Sequence, residues 1–164
     1  LKDKGLTKKI GISSFDKKNI LNLSNKYKFD VVQTPCNLFD QSLIKSELHK
    51  NLNDKEIEIH ARSVFLQGLL LMKKNKLPKK FDKWKTLLDS YYNWLEDNKV
   101  LPIQAALSYV KQYKEISGIV VGVNKLSELK DIIKFYNKDW ACNAPDFTNF
   151  ITEKFINPSY WDNL

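Results

Sequence analysis

Four short apolar segments alternate with stretches of helical periodicity along the chain: KKIGIS (residues 8–13), FDVVQT (29–34), IEIHAR (57–62) and GIVVGV (118–123). Strands separated by helices pair in parallel, through right-handed crossovers that lay each helix on the sheet. Asp16 is placed to cap a first helix whose apolar face is Ile20, Leu23 and Tyr27. Residues 40–53 predict a second helix, with Leu43, Ile44, Leu48 and Leu52 at helical spacing. A long lysine-rich loop at 63–79 contains Pro78. Residues 80–97 then carry Phe81, Trp84, Leu88, Tyr91 and Leu95, and Pro102 opens a helix with Ile103, Ala106, Leu107 and Val110. Leu126, Leu129, Ile133 and Tyr136 mark the last regular helix. The order β, α, β, α, β, α, α, β, α is that of an α/β protein, either a doubly wound sheet or a (β/α) barrel. No GxGxxG follows the first strand, so a Rossmann dinucleotide site is poorly supported.

The third strand separates the two architectures. Ile57, Ile59 and Ala61 fall on one face, and Glu58, His60 and Arg62 on the other. An open sheet covered by helices on both faces rarely accepts such a polar row, whereas the solvated upper interior of a barrel does. Ser13 ends the first strand, Gln33 lies near the end of the second, Arg62 and Ser63 close the third, and Asn124 follows the fourth. Each alone reads as a strand-end or turn residue. Together they mark the end of the sheet where α/β folds bind ligands.

Net charge narrows the partners. The chain carries +8, but of its 27 basic residues Arg62 is the one arginine, and the lysines are spread along the whole length. Nucleic-acid recognition favours clustered guanidinium groups, so no nucleic-acid partner is expected. No apolar run reaches the roughly 20 residues of a membrane span. The N-terminal LKDKGLTKK has no signal pattern, and Cys36 and Cys142 match no metal or redox spacing, so a reduced cytoplasmic setting and no metal site are expected. Residues 140–164 form an irregular tail with Trp140, Phe147, Phe150, Phe155, Tyr160 and Trp161. So many rings predict a tail packed on the body formed by residues 1–139.

KKIGISSF, FDVVQTPCNLFDQ, IHARSVFLQGLL and GIVVGVNKLSELKDII, in that order, resemble the second half of an aldo/keto reductase, and INPSYW resembles the ending of some bacterial members. The resemblance implies a (β/α)8 TIM-barrel type fold of which this chain holds only the second half, about four β/α units. It implies NADPH or NADH lying across the barrel mouth, with Ser13 and Gln33 on the nicotinamide carboxamide. Arg62 stands where family members often have an aromatic that stacks on the nicotinamide; a planar guanidinium can also stack. Ser63, Phe65 and Gln67, leading to Gly68, would line the loop around the pyrophosphate. Gly122 and Asn124 would face the phosphates, and Glu128 and Ile132 stand where the family often has a basic residue and an Asn. A carboxylate there repels a 2′-phosphate, which favours NADH.

The resemblance also implies hydride transfer to a small-molecule carbonyl, with a sugar-derived one as the guess for substrate. The family's catalytic Asp, Tyr, Lys and His come from the first half of the barrel, so no catalytic residue is assigned and no activity is expected from the chain alone. A barrel takes about 250 residues. Four strands would leave two edges and an apolar inner face open, to be covered by a missing N-terminal half, by a second copy, or, in a chain that folds alone, by its own tail over one edge. The alternative to an enzyme is a non-catalytic half-barrel that serves as an assembly or interaction module.

Overall fold

In the computed structural model, which describes residues 1–138, 140–147 and 151–163, four parallel strands lie side by side in chain order. They are β1 (Gly11–Ser13), β2 (Val31–Pro35), β3 (Glu58–Arg62) and β4 (Ile116–Ile119). Ser13 pairs with Gln33, Gln33 with His60 and His60 with Gly118, so one row crosses the whole sheet. Gly11 is required by close approach: a Cβ there would stand 2.1 Å from the Val31 carbonyl oxygen.

The helices are α1 (Lys17–Lys26), α2 (Ser42–Lys45), α3 (Leu48–Asp54), α4 (Lys85–Asp97), α5 (Pro102–Lys111), α6 (Leu126–Tyr136) and α7 (Glu153–Ile156). Asp16 caps α1, its carboxylate accepting from the Lys18 and Asn19 amides, and Pro102 starts α5. Alternation on β3 is clean: Ile59 and Ala61 are fully buried under the helices, and Glu58, His60 and Arg62 are half-buried on the opposite face. α3 packs on β3, and α5 packs on β4 and α6. No helix among the described residues is long and apolar enough to cross a membrane.

A second core of aromatic rings forms beside the sheet. Phe39, just after β2, meets Tyr91, Phe147 and Phe155 edge-on at 5.2–5.3 Å. Phe81, Trp84 and Trp161 extend the cluster through Phe155. The Tyr91 hydroxyl donates to the Leu70 carbonyl at 2.8 Å, and the Trp161 indole to the Phe155 carbonyl at 3.0 Å. Gln41 ties the tail down by donating to the Pro145 carbonyl, and Lys45 pairs with Asp146. Phe150, one of the predicted tail rings, and residue 139, the last of the sequence-predicted body, lie outside the described residues.

Several expectations are corrected. The helix at 40–53 is two, α2 and α3, broken where Glu47 takes φ 56°. His49, in α3, is 4% exposed, with its Nδ1 3.3 Å from the Leu43 carbonyl and its ring edge-on to Tyr113. Tyr27 ends α1 in an extended conformation and points to solvent rather than joining the Ile20 face. The loop 63–79 holds two 3₁₀ turns, Leu69–Leu71 and Lys74–Lys76, and the helix at 80–97 begins as a 3₁₀ segment, Lys79–Trp84. The fourth strand is Ile116–Ile119 rather than 118–123, because its ladder ends where β3 ends: Ile119 pairs with Ala61, and the Val120 amide makes the last bond to Ala61.

Helix α6 departs most from the usual pattern. The stripe Leu126, Leu129, Ile133 and Tyr136 points outward, with Leu126 67% and Ile133 52% exposed, while Phe135 and Ile132 face the body. Val120 and Val123 beside it are exposed too, and the outer edges of β1 and β4 have no partner strand among the described residues.

Candidate functional site

Arg62 leaves the end of β3 on the half-exposed face. Its guanidinium carbon sits 4.1 Å from the centre of the Phe15 ring, in the loop between β1 and α1. β2 lies between these strands, so the contact spans about 10 Å at the usual strand spacing and crosses the C-terminal end of β2. Nη1 donates to the Ser63 hydroxyl at 3.4 Å, while Nε is buried without a hydrogen-bond partner. Burial lowers the guanidinium pKa, and the charge of Asp40 opposes that shift. Arg62 forms no ion pair among the described residues.

Asp40 is 2% exposed and takes Lys17 as its ion-pair partner at 3.3 Å. Its other oxygen accepts from the amide and hydroxyl of Ser42. Lys17, Asp40 and Arg62 together leave one net positive charge at this end of the sheet. Asn37, fully buried, locks the adjoining backbone. Its side-chain oxygen accepts from the Phe39 and Asp40 amides at 2.9 and 2.8 Å, and its amide nitrogen donates to the Ser63 carbonyl at 3.0 Å. The Cys36 amide donates to the Arg62 carbonyl at 3.2 Å.

Past β3 the backbone is strained. Ser63, Leu66 and Gln67 have φ of 56°, 45° and 52°, and Gly68 follows at 83°. Left-handed non-glycine residues cost on the order of 1 kcal/mol each and persist where surrounding bonds enforce them. Asn37 supplies one such bond at Ser63. Phe65 is half-buried and Gln67 is exposed on this loop.

The sequence-predicted residues separate into two groups. Ser13, exposed, and Gln33, half-buried, are partners in the sheet register, and Arg62 and Ser63 close the neighbouring strand at the same end. Gly122 and Asn124, placed by the sequence in and just after the fourth strand, instead lie exposed in the loop beyond it. Glu128 already has work: its carboxylate accepts from the Asn124 amide at 2.8 Å in the first turn of α6, where the helix dipole favours an anion. Sequence reasoning missed Phe15, Lys17, Asn37 and Asp40. The string CNLFD carries a signal for two of them, since Asn and Asp just past a strand commonly bond backbone amides two residues on.

Two groups are chemically quiet. Burial pushes the Cys36 thiol up to about 12, with Asp40 adding to the shift, and the Cys142 thiol up to about 11. Neither is a thiolate near neutral pH. His60, whose ring a Cβ on Gly118 would approach to 3.3 Å, lies 3.8 Å from Glu58, which also pairs with Lys9. The rim itself offers a hydroxyl, a carboxamide and one planar cation whose carboxylate neighbour is already engaged. Such a set holds a flat polar ring or an anionic group, and it contains no activated nucleophile.

A family model described as the aldo/keto reductase family matches residues 1–141. Among solved structures, the aldo-keto reductase AKR11C1 from Bacillus halodurans in its apo form is 16% identical with a TM-score of 0.70; the match covers 92% of this chain and 52% of that one. The holo form gives 16% identity, a TM-score of 0.69 and coverage of 99% and 52%. The thermostable aldo-keto reductase Tm1743, in complex with the inhibitor epalrestat, gives 17%, 0.59, and 85% and 46%. At these identities the likeness is one of fold, and the chain spans about half the length of these proteins. A search of curated proteins gives no match.

Proposed function

The chain belongs to the aldo/keto reductase family, and on that premise we propose that it supplies the NAD(P)H-binding half of a (β/α)8-barrel oxidoreductase acting on a small carbonyl compound. The observation that carries this reading is the cluster at one end of the sheet, with Ser13 and Gln33 in register and Arg62 reaching over the end of β2 to Phe15. The fit to a nicotinamide is chemical. A carboxamide both donates and accepts, as do a hydroxyl and a Gln side chain, and a guanidinium plane stacks on a ring.

In this reading Ser13 and Gln33 hold the carboxamide and so fix which face of the ring is turned to the substrate. Arg62 lies flat on the ring and keeps water from it. Ser63, Phe65 and Gln67, on the strained loop, wrap the phosphates, and Gly122, Asn124 and Glu128 border the adenosine end. When bound, the coenzyme supplies the hydride for carbonyl reduction. No residue of this chain is assigned the proton-donating role, so turnover requires the other half of the barrel. The outward stripe of α6 and the two unpaired edges support the existence of such a half, as an N-terminal segment or a second copy.

All residues assigned to the coenzyme lie in this chain, so the chain alone should bind it. Titration with NADH and NADPH, followed by tryptophan emission, is expected to give saturable quenching by millimolar coenzyme. NADH should bind more tightly, because Glu128 repels a 2′-phosphate. No quenching at several millimolar of either coenzyme overturns the reading. Stable dimers without coenzyme affinity would favour the second reading, an assembly module, which rests on the same open edges.

A further inference from the structure

Arg62 is unusual in three respects beyond its place on the rim. It is the one arginine of the chain, its Nε is buried without a hydrogen-bond partner, and it forms no ion pair among the described residues. A guanidinium is usually oriented by carboxylates or carbonyls that accept from its edge. Here the nearest charge, Asp40, is taken up by Lys17 and Ser42, and the Ser63 hydroxyl at 3.4 Å is a weak acceptor. What remains to set the plane of the group is the Phe15 ring at 4.1 Å.

Phe15 is itself held in place by its neighbours. The Ser14 amide donates to the Gln33 carbonyl at 3.1 Å, and Asp16, the residue after Phe15, caps α1, so the loop is anchored on both sides of the ring. Burial does not account for Phe15, which keeps 37% of its surface exposed. A guanidinium has two faces. The guanidinium carbon lies over the Phe15 ring, which leaves one face for another flat group, and no other described ring pairs with it.

We propose that Phe15 is a positioning residue that fixes the plane of Arg62 and leaves its second face for the flat ring of the nicotinamide coenzyme, in a three-layer stack of Phe15, guanidinium and nicotinamide. The proposal rests on the coenzyme reading given above and adds to it a residue that does not itself touch the coenzyme. It also explains how an arginine can replace an aromatic side chain at this position: the rigidity a ring would bring is borrowed from the neighbouring loop.

A single arginine makes the test direct, because the protein has one arginine Nε–H resonance. In wild type that proton is expected to be shifted upfield by the ring current and protected from exchange by burial. Phe15→Leu should move it downfield and speed its exchange, and Phe15→Tyr should leave it near the wild-type position. Addition of NADH should shift the wild-type resonance, and Phe15→Leu should weaken NADH binding roughly threefold while Phe15→Tyr does not, as expected for loss of one exposed ring–cation contact. In an Arg62→Leu background the Phe15→Leu effect on NADH binding should vanish. A resonance unchanged in Phe15→Leu overturns the stack. A resonance that moves, with NADH affinity equal in wild type and Phe15→Leu, overturns the positioning role and leaves the coenzyme reading standing. An NADH titration that moves neither the wild-type resonance nor the tryptophan emission overturns both.

Discussion

The two sides of the sheet differ in how completely they are finished. Around Phe39 the molecule is closed: rings from α4 and the tail meet it, rings of the 3₁₀ segment before α4 extend the cluster through Phe155, and Gln41 stitches the tail to the loop that follows β2. Around α6 it is open: Leu126, Leu129 and Ile133 carry the spacing of a core-facing helix and yet face solvent. A stripe of that pattern costs solubility unless something covers it. The closed side gives the candidate site a rigid wall, because Phe39, Asn37 and Asp40 belong to one loop. On the open side, Gly122 and Asn124, proposed for the adenosine end, stand in an exposed loop, and Glu128 in the first turn of α6.

The contrast predicts unequal responses to substitution. Phe39→Ala removes the ring that three others meet and should lower the unfolding free energy by about 4 kcal/mol, within the range for buried aromatics. A loss under about 1 kcal/mol in denaturant melts would mean the tail is not packed as described. Asn37→Ala strands the Phe39 and Asp40 amides and frees the Ser63 carbonyl, for a cost of about 2 kcal/mol. It should weaken coenzyme binding as well, and unchanged binding would sever the link between that wall and the rim. Ile133→Lys on the open side should change the stability of the isolated chain by no more than about 0.5 kcal/mol. Sedimentation should show that it abolishes association with whichever half covers α6. A stability loss as large as that of Phe39→Ala would make the open side part of this chain's own core.

What could be read in the sequence follows from the same contrast. The alternation of strands and helices, the Asp16 cap, the Pro102 start and the two faces of β3 all depend on residues near one another in the chain, and each stands in the structure as the pattern implies. Where local pattern misled, tertiary context had the deciding part. GIVVGV looks like a strand throughout, but a parallel ladder ends where its neighbour ends, and β3 stops at Arg62. Residues 40–53 keep helical spacing across a break that Glu47 makes with a left-handed turn. Phe15 could not be chosen from sequence, since its meaning lies in a contact with Arg62 across an intervening strand.

The central claim is that a nicotinamide coenzyme lies along the C-terminal ends of β1, β2 and β3. Hydrogen–deuterium exchange of the chain with and without saturating NADH tests it most directly. The account predicts slowed exchange at residues 13–15, 33–37 and 62–68, with smaller changes near 122–128 and none at the opposite end of the sheet, around residues 29–30 and 55–57. Protection at that opposite end, or none anywhere while NADH is demonstrably bound, would contradict it.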